Sequence, residues 1–203
     1  MMTRTEMARM EKKARKTRQI RTCNAAFMVR EAEKGKHIEG YFAVFDGIYQ
    51  PWPDVAESID PHAFDDALED DIRCLIDHET RLVLGRTVAN TLALRVDEHG
   101  LFGSVLINEK DTDATNVYAR VERGDVSQCS FGFDILDEMK EVRADGSVHF
   151  TIMKVKLYEV SVVTFPAYKD TGVEARRAEY EAMRRREAEA WKIRMKARIA
   201  KWH

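Results

Sequence analysis

Apolar and polar residues alternate in short runs along most of this chain, and the pattern breaks down only towards its two ends. Period-two segments rich in β-branched and aromatic residues predict strands. They fall at about 25–30, 38–45, 72–76, 82–85, 90–96, 101–107, 126–136, 138–143, 148–155 and 157–164. Turn chemistry punctuates them: Glu33 to Lys36 with its central Gly35, then Asp46 and Gly47, then Pro166 after the last run. Pro51 and Pro53 argue against regular ladder pairing near residue 50. Asp60 and Pro61 place a capping carboxylate and a first-turn proline ahead of Phe64 and Leu68, which predicts a short helix. A second helix is expected over about 113–123, stopping at Gly124 as a left-handed cap would. Many short strands, few helices and no internal repeat predict an α+β, mainly β body, a barrel or a sandwich rather than a parallel α/β sheet.

The ends read differently. Residues 1–22 carry eight Lys/Arg against two Asp/Glu without a sustained apolar face, and are expected to be a mobile or weakly helical arm. Residues 173–203 are rich in Ala, Glu, Arg, Lys and Met, lack Pro and Gly, and predict a long C-terminal helix. Its apolar positions, Tyr180, Met183, Trp191, Met195, Ile199 and Trp202, suit either docking on its own domain or pairing with a partner helix. The expected organisation is therefore a basic arm 1–22, a body 23–172 and a charged helix 173–203. The net charge of −2 conceals this division, since residues 174–203 add ten Lys/Arg against five Asp/Glu and leave an acidic middle. Such arms suit nucleic acid, an acidic protein surface, or simple solubility. Three cysteines without Cys-x-x-Cys spacing, and no apolar signal core, point to reduced thiols in a cytoplasm. No run approaches the ~18 apolar residues of a membrane span, so no membrane partner is expected.

Three polar residues stand where an apolar strand would not ordinarily hold them. Ser130 lies within Gln128–Cys129–Ser130–Phe131–Gly132–Phe133, His78 follows the apolar run 72–76, and Glu159 lies among Leu157, Val160, Val162 and Val163. A hydroxyl, an imidazole and a carboxylate, each anchored on its own strand, are the parts of a nucleophilic hydrolase. Each alone has a plainer role, and for Glu159 that is a structural salt bridge, because a buried carboxylate needs a partner. Other chemistries fit less well. There is no Gly-x-Ser-x-Gly elbow, phosphate loop or His-Glu-x-x-His. His78 and Glu79 would point to opposite faces of a strand and so would not share an ion. No cofactor or metal is expected. Cys129, next to Ser130, falls on the other face and reads as a small core hydrophobe.

With these residues in view, the chain resembles the prohead proteases of tailed bacteriophages of the HK97 type, relatives of the herpesvirus assembly proteases. The matching blocks run in order through about residues 38–171: Gly40 to Asp46, Glu57 to Phe64, Leu75 to Glu79, Leu84 to Thr87, Thr91 to Leu94, Gly100 to Phe102, Gly124 to Phe133, and Leu157 to Tyr168. The resemblance implies a serine endopeptidase with a closed β-barrel and surrounding helices, similar to the herpesvirus enzymes. It implies Ser130 as nucleophile and His78 as its base, with Glu159 chosen as third member. It further implies action inside the procapsid in the host cytoplasm, on the scaffold region of the major capsid protein and on the protease itself. Two positions depart from the family pattern, His62 where glycine is usual and Cys129 where methionine is usual; the first makes His62 a minor rival base. The turn Leu84–Gly85–Arg86–Thr87 is one candidate for stabilising the oxyanion. The competing reading is a non-catalytic scaffold or capsid-assembly protein with an inert body. Self-association is allowed, and nucleic acid is not expected as a partner because the N-terminal arm lacks aromatic residues for stacking. Since all three candidate residues lie between the arms, the arms are expected to be dispensable for peptide-bond chemistry.

Overall fold

A computed structural model describes residues 15–23, 27–33, 35–45, 47–165 and 171–200. The arm before residue 15, the strand stop at Pro166 and the stripe position Trp202 lie outside the described residues. The chain divides into two compact units, Met1–Ala167 and Tyr168–His203. The second is a helix, α2 (Thr171–Ala200), carrying an i,i+4 ion pair between Arg177 and Glu181 at 3.0 Å.

Among its described residues, the first unit has eleven strands in two sheets. One has seven strands: β1 (Arg15–Cys23), β10 (Gln128–Val142), β11 (Val148–Val163), β5 (Val55–Ile59) and β4 (Tyr49–Trp52) in that order, with β6 (Arg73–Ile76) also on β11 and β7 (Glu79–Arg86) on β6. The other runs β2 (Met28–Ala32), β3 (Gly35–Val44), β9 (Gly100–Leu106) and β8 (Leu92–Val96). These sheets are open, which overturns the expected closed barrel with surrounding helices; only the mainly β character holds. The reason lies in β11. One of its edges is shared lengthwise by two parallel partners, β5 over residues 148–152 and β6 over 159–162, so the sheet branches instead of closing. Strands β1, β4 and β7 are its ends. Within this unit one α-helix is described, α1 (Thr112–Arg123), capped by the Asp111 side chain on the amides of Asp113 and Ala114 and terminated by Gly124 at φ 86°.

Several strand boundaries differ from the periodicity. Residues 15–22, expected in a mobile or weakly helical arm, fall within β1. The pairs of strands expected at 126–143 and 148–164 are two long strands, because bulges at Gly132/Phe133, Ile135/Asp137 and Asp137/Glu138 absorb the breaks in alternation. Strand β4 contains Pro51 and survives because it is an edge, where a missing amide is tolerated. Instead of a helix at Asp60, a turn forms in which Asp60 Oδ1 accepts from the His62 amide at 2.9 Å, followed by a 3-10 turn over Ala67–Glu69.

The core draws Ile38, Phe42, Leu101 and Val105 from the smaller sheet and Phe131, Phe133, Val160 and Val162 from the larger. An aromatic chain, Phe45–Phe64–Phe131–Phe133, has centroid separations of 6.3, 5.7 and 4.7 Å. Strand alternation then decides the rest. With Cys129, Phe131 and Phe133 of β10 and Val160 and Val162 of β11 committed to the core, Ser130, Gly132, Glu159 and Ser161 share the opposite face.

Candidate active site

His78 reaches that face from a hairpin tip, not from a strand as its apolar neighbours suggested. Strands β6 and β7 pair from Arg73↔Arg86 to Ile76↔Glu79, leaving Asp77 and His78 as a two-residue turn. Both have positive φ, 49° and 61°, as a type I′ connection requires. Aspartate tolerates that conformation, and hydrogen bonds to the end of β11 hold it. The Asp77 carboxylate accepts from the Thr164 amide at 2.7 Å and its hydroxyl at 3.1 Å, while the Asp77 amide donates to the Val162 carbonyl at 2.9 Å. The turn is thus tied to β11 from both sides, and β6 is itself in parallel register with Glu159 to Val162.

This anchoring brings His78 and Glu159 together. Nδ1 of His78 lies 2.7 Å from Oε1 of Glu159. A carboxylate only accepts, so Nδ1 is the donor, and in the neutral imidazole that leaves the lone pair on Nε2. Nε2 is buried and has no hydrogen-bond partner. The second oxygen of Glu159 accepts from Ser161 Oγ at 2.6 Å, and that hydroxyl also sits 3.3 Å from His78 Nδ1. Glu159 is 3% exposed and His78 19%, so the carboxylate is sheltered while the imidazole edge reaches the surface.

Ser130 is the cross-strand partner of Ser161, and Gly132 that of Glu159. Directly opposed residues project to the same side with Cβ atoms about 4.5–5.5 Å apart, so Ser130 shares the face of the His78–Glu159 pair. Its hydroxyl is turned away from them. Ser130 is fully buried and its Oγ donates to the Arg21 carbonyl of β1 at 2.9 Å. Arg21 is itself buried, its guanidinium bonded through Nε and Nη2 to Glu57 at 2.5 and 3.0 Å. Burial works against the Arg21 charge, and the Glu57 carboxylate more than offsets it, so its pKa stands above the ordinary arginine value.

The other candidates are engaged elsewhere. His62 is on the surface, paired with Asp65 at 3.0 Å. Arg86 is bidentate to Asp71 at 2.7 and 2.6 Å, and Gly85 lies on β7, where a Cβ would press on the Thr91 carbonyl at 2.7 Å. The turn proposed for the oxyanion is therefore a strand end held by a surface ion pair. Cys129 packs in the core and is disulfide-bonded, with Cys23 opposite it in the β1–β10 register; Cys74 is a free, buried thiol. The expectation of reduced thiols throughout is corrected accordingly. Among the described residues no three or more His, Cys, Asp and Glu side chains are placed to hold a metal ion.

Sequence reasoning missed Ser161, Gly132 and the Arg21–Glu57 pair. The first two had a signal. Ser161 stands two residues from Glu159 and so on its face, and a glycine between two strand phenylalanines marks a close approach. The Arg21–Glu57 contact joins segments 36 residues apart and had none.

A carboxylate-oriented imidazole with a free nitrogen, on a sheet face that also carries a serine, has the composition of a serine hydrolase site. The chain belongs to the caudovirus prohead serine protease family, whose profile matches residues 24–186. It is thus a serine-type protease of the phage prohead class. Among solved structures it is similar to the bacteriophage T4 capsid assembly protease, at 11% identity, covering 72% of this chain and 96% of that one with a TM-score of 0.48. No curated protein sequence matches it. Among the described residues, no helix is long and apolar enough to cross a membrane.

Proposed function

We propose that this chain is the endopeptidase that cuts the scaffold region of the major capsid protein inside the procapsid, and cuts itself, with Ser130 as nucleophile, His78 as base and Glu159 as the group that orients the base. The observation that carries this reading is the 2.7 Å bond from His78 Nδ1 to Glu159, which leaves Nε2 buried, unpartnered and ready to accept a proton. Ser130 Oγ attacks the scissile carbonyl as its proton passes to Nε2; the same proton then goes to the leaving amine, and water repeats the sequence to free the acyl group. Glu159 holds the tautomer and stabilises the imidazolium. Ser161 is not the nucleophile in this scheme, because it meets the nitrogen that faces the carboxylate. It braces Glu159 instead.

The test is coexpression with the capsid protein of the same phage, followed by mass spectrometry. Specific truncation of the capsid precursor is expected, and Ser130→Ala should abolish it. Loss of that hydroxyl also removes one buried hydrogen bond, at a cost of about 1 kcal/mol, so the variant should still fold. Wild-type truncation by a folded Ser130→Ala protein would refute the assignment.

A further inference from the structure

Strand β1 sits where the mechanism needs open space. It covers the edge of β10 that β11 does not, pairing antiparallel so that Thr22 lies opposite Ser130 and Ile20 opposite Gly132. Without it β10 would be a sheet edge beside the nucleophile, with unpaired amides and carbonyls ready to take an extended chain. The contact is chemical as well as steric. The Arg21 carbonyl accepts the Ser130 hydroxyl at 2.9 Å, while His78 Nε2 lacks the donor it requires. A peptide carbonyl from an antiparallel strand, held against the serine Oγ, is also what an extended substrate would present.

The strand is latched rather than merely paired. Arg21 is buried to 7% exposure and Glu57 to 3%, and the guanidinium also lies over the rings of Tyr49 at 5.4 Å and Phe133 at 5.8 Å. A cleft of about 320 Å³ bounded by Tyr49, Glu57, Ile59 and Phe131 lies beside Arg21 and Thr22. Once the strand leaves, the Glu57 carboxylate that held Arg21 lines that cleft. The family match begins at residue 24, immediately after β1, so this strand lies outside the shared region.

We propose that β1 is an intramolecular inhibitory strand that occupies the substrate-strand position on β10, diverts Ser130 from His78, and is held by the Arg21–Glu57 pair. The segment that replaces it is extended and carries a basic residue at the place of Arg21, where Glu57 receives it. This rests on Ser130 being the nucleophile.

The test uses the full chain and a fluorophosphonate probe, which labels an activated serine covalently. Under reducing conditions the wild type should label slowly. Arg21→Gln, which removes the latch, should label faster by on the order of ten-fold or more, since breaking a buried ion pair is strongly destabilising to the strand it holds. Thr22→Pro, which disrupts the ladder opposite Ser130 without touching the ion pair, should do the same. A synthetic peptide of residues 15–23 with serine for Cys23 should slow labelling of both variants again, and the same peptide with Arg21→Glu should not. Hydrogen exchange at Ile20 to Thr22 reports strand release independently. Faster exchange with unchanged labelling would overturn the inhibitory role while leaving the nucleophile intact. Equal effects of the two peptides would overturn the basic-residue requirement. No labelling of Ser130 in any form, with exchange raised, would refute Ser130 as nucleophile, and the inhibitory strand would fall with it.

Discussion

The substitution Gly132→Ala tests the site without altering any residue that does chemistry. Gly132 is the cross-strand partner of Glu159, and a Cβ built on it overlaps Glu159 Oε1 and comes within 3.0 Å of Cδ and 3.2 Å of Cγ, against 3.4–4 Å for ordinary contact. A flexible side-chain end would normally yield. This one is pinned, with Oε1 bonded to His78 at 2.7 Å and Oε2 to Ser161 at 2.6 Å. Relief requires the carboxylate to move by roughly 1 Å, and a misplacement of that size costs about 10²-fold in rate. That corresponds to about 2.7 kcal/mol of barrier, within the ~1.5–3 kcal/mol of a hydrogen bond to a charged group. Overpacking should also lower stability by about 1–3 kcal/mol. Gly124→Ala supplies a control of similar stability cost, because Gly124 is left-handed at φ 86° yet a Cβ there meets nothing within 4 Å. The expected outcome is a loss of about 10²-fold in the cleavage rate of the capsid precursor for Gly132→Ala and near wild-type rate for Gly124→Ala, with both proteins folded by circular dichroism. If Gly132→Ala cleaves as fast as the control, Glu159 does not orient the base.

Two further outcomes follow from the same geometry. Ser161→Ala leaves Glu159 Oε2 without its hydroxyl donor and should lower kcat by about ten-fold, roughly the effect of one weakened charge-assisted hydrogen bond, with KM little changed; an unaltered kcat would remove Ser161 from the site. Burial, and then the nearby Glu159 carboxylate, push the Cys74 thiol well above its ordinary pKa. Because the thiolate is the reactive form, iodoacetamide at pH 8 should spare Cys74 in the folded protein and modify it once guanidinium unfolds the chain. Rapid modification of the native protein would contradict its placement in the core.

Much of the body was legible because local physics is short-ranged. Alternation predicted the strands that became β3, β6, β8 and β9, and the Gly124 stop ended α1 where the periodicity ended. What periodicity could not see was context. A bulge lets one long strand look like two, as at Ile135/Asp137, and an edge forgives Pro51. The basic composition of residues 1–22 suggested a mobile or weakly helical arm, whereas pairing with β10 and burial of Arg21 on Glu57 make residues 15–22 part of a strand.

The sequence by itself determined which polar residues are candidates for chemistry and the strand face of two of them: Ser130 set between core positions 129 and 131, and Glu159 next to core position 160 on β11. The Asp77–His78 turn was not legible there, because its two left-handed residues are held by hydrogen bonds to Val162 and Thr164, more than eighty residues away. Tertiary structure alone decided whether these groups meet. The sheets are open because β11 gives one edge to both β5 and β6, a matter of long-range pairing that no local pattern encodes. For the same reason His78 reaches Glu159, 81 residues away, and Ser130 instead finds the Arg21 carbonyl, 109 residues away. Contacts over such separations depend on which strands lie side by side, and that is set by the packing of the whole core.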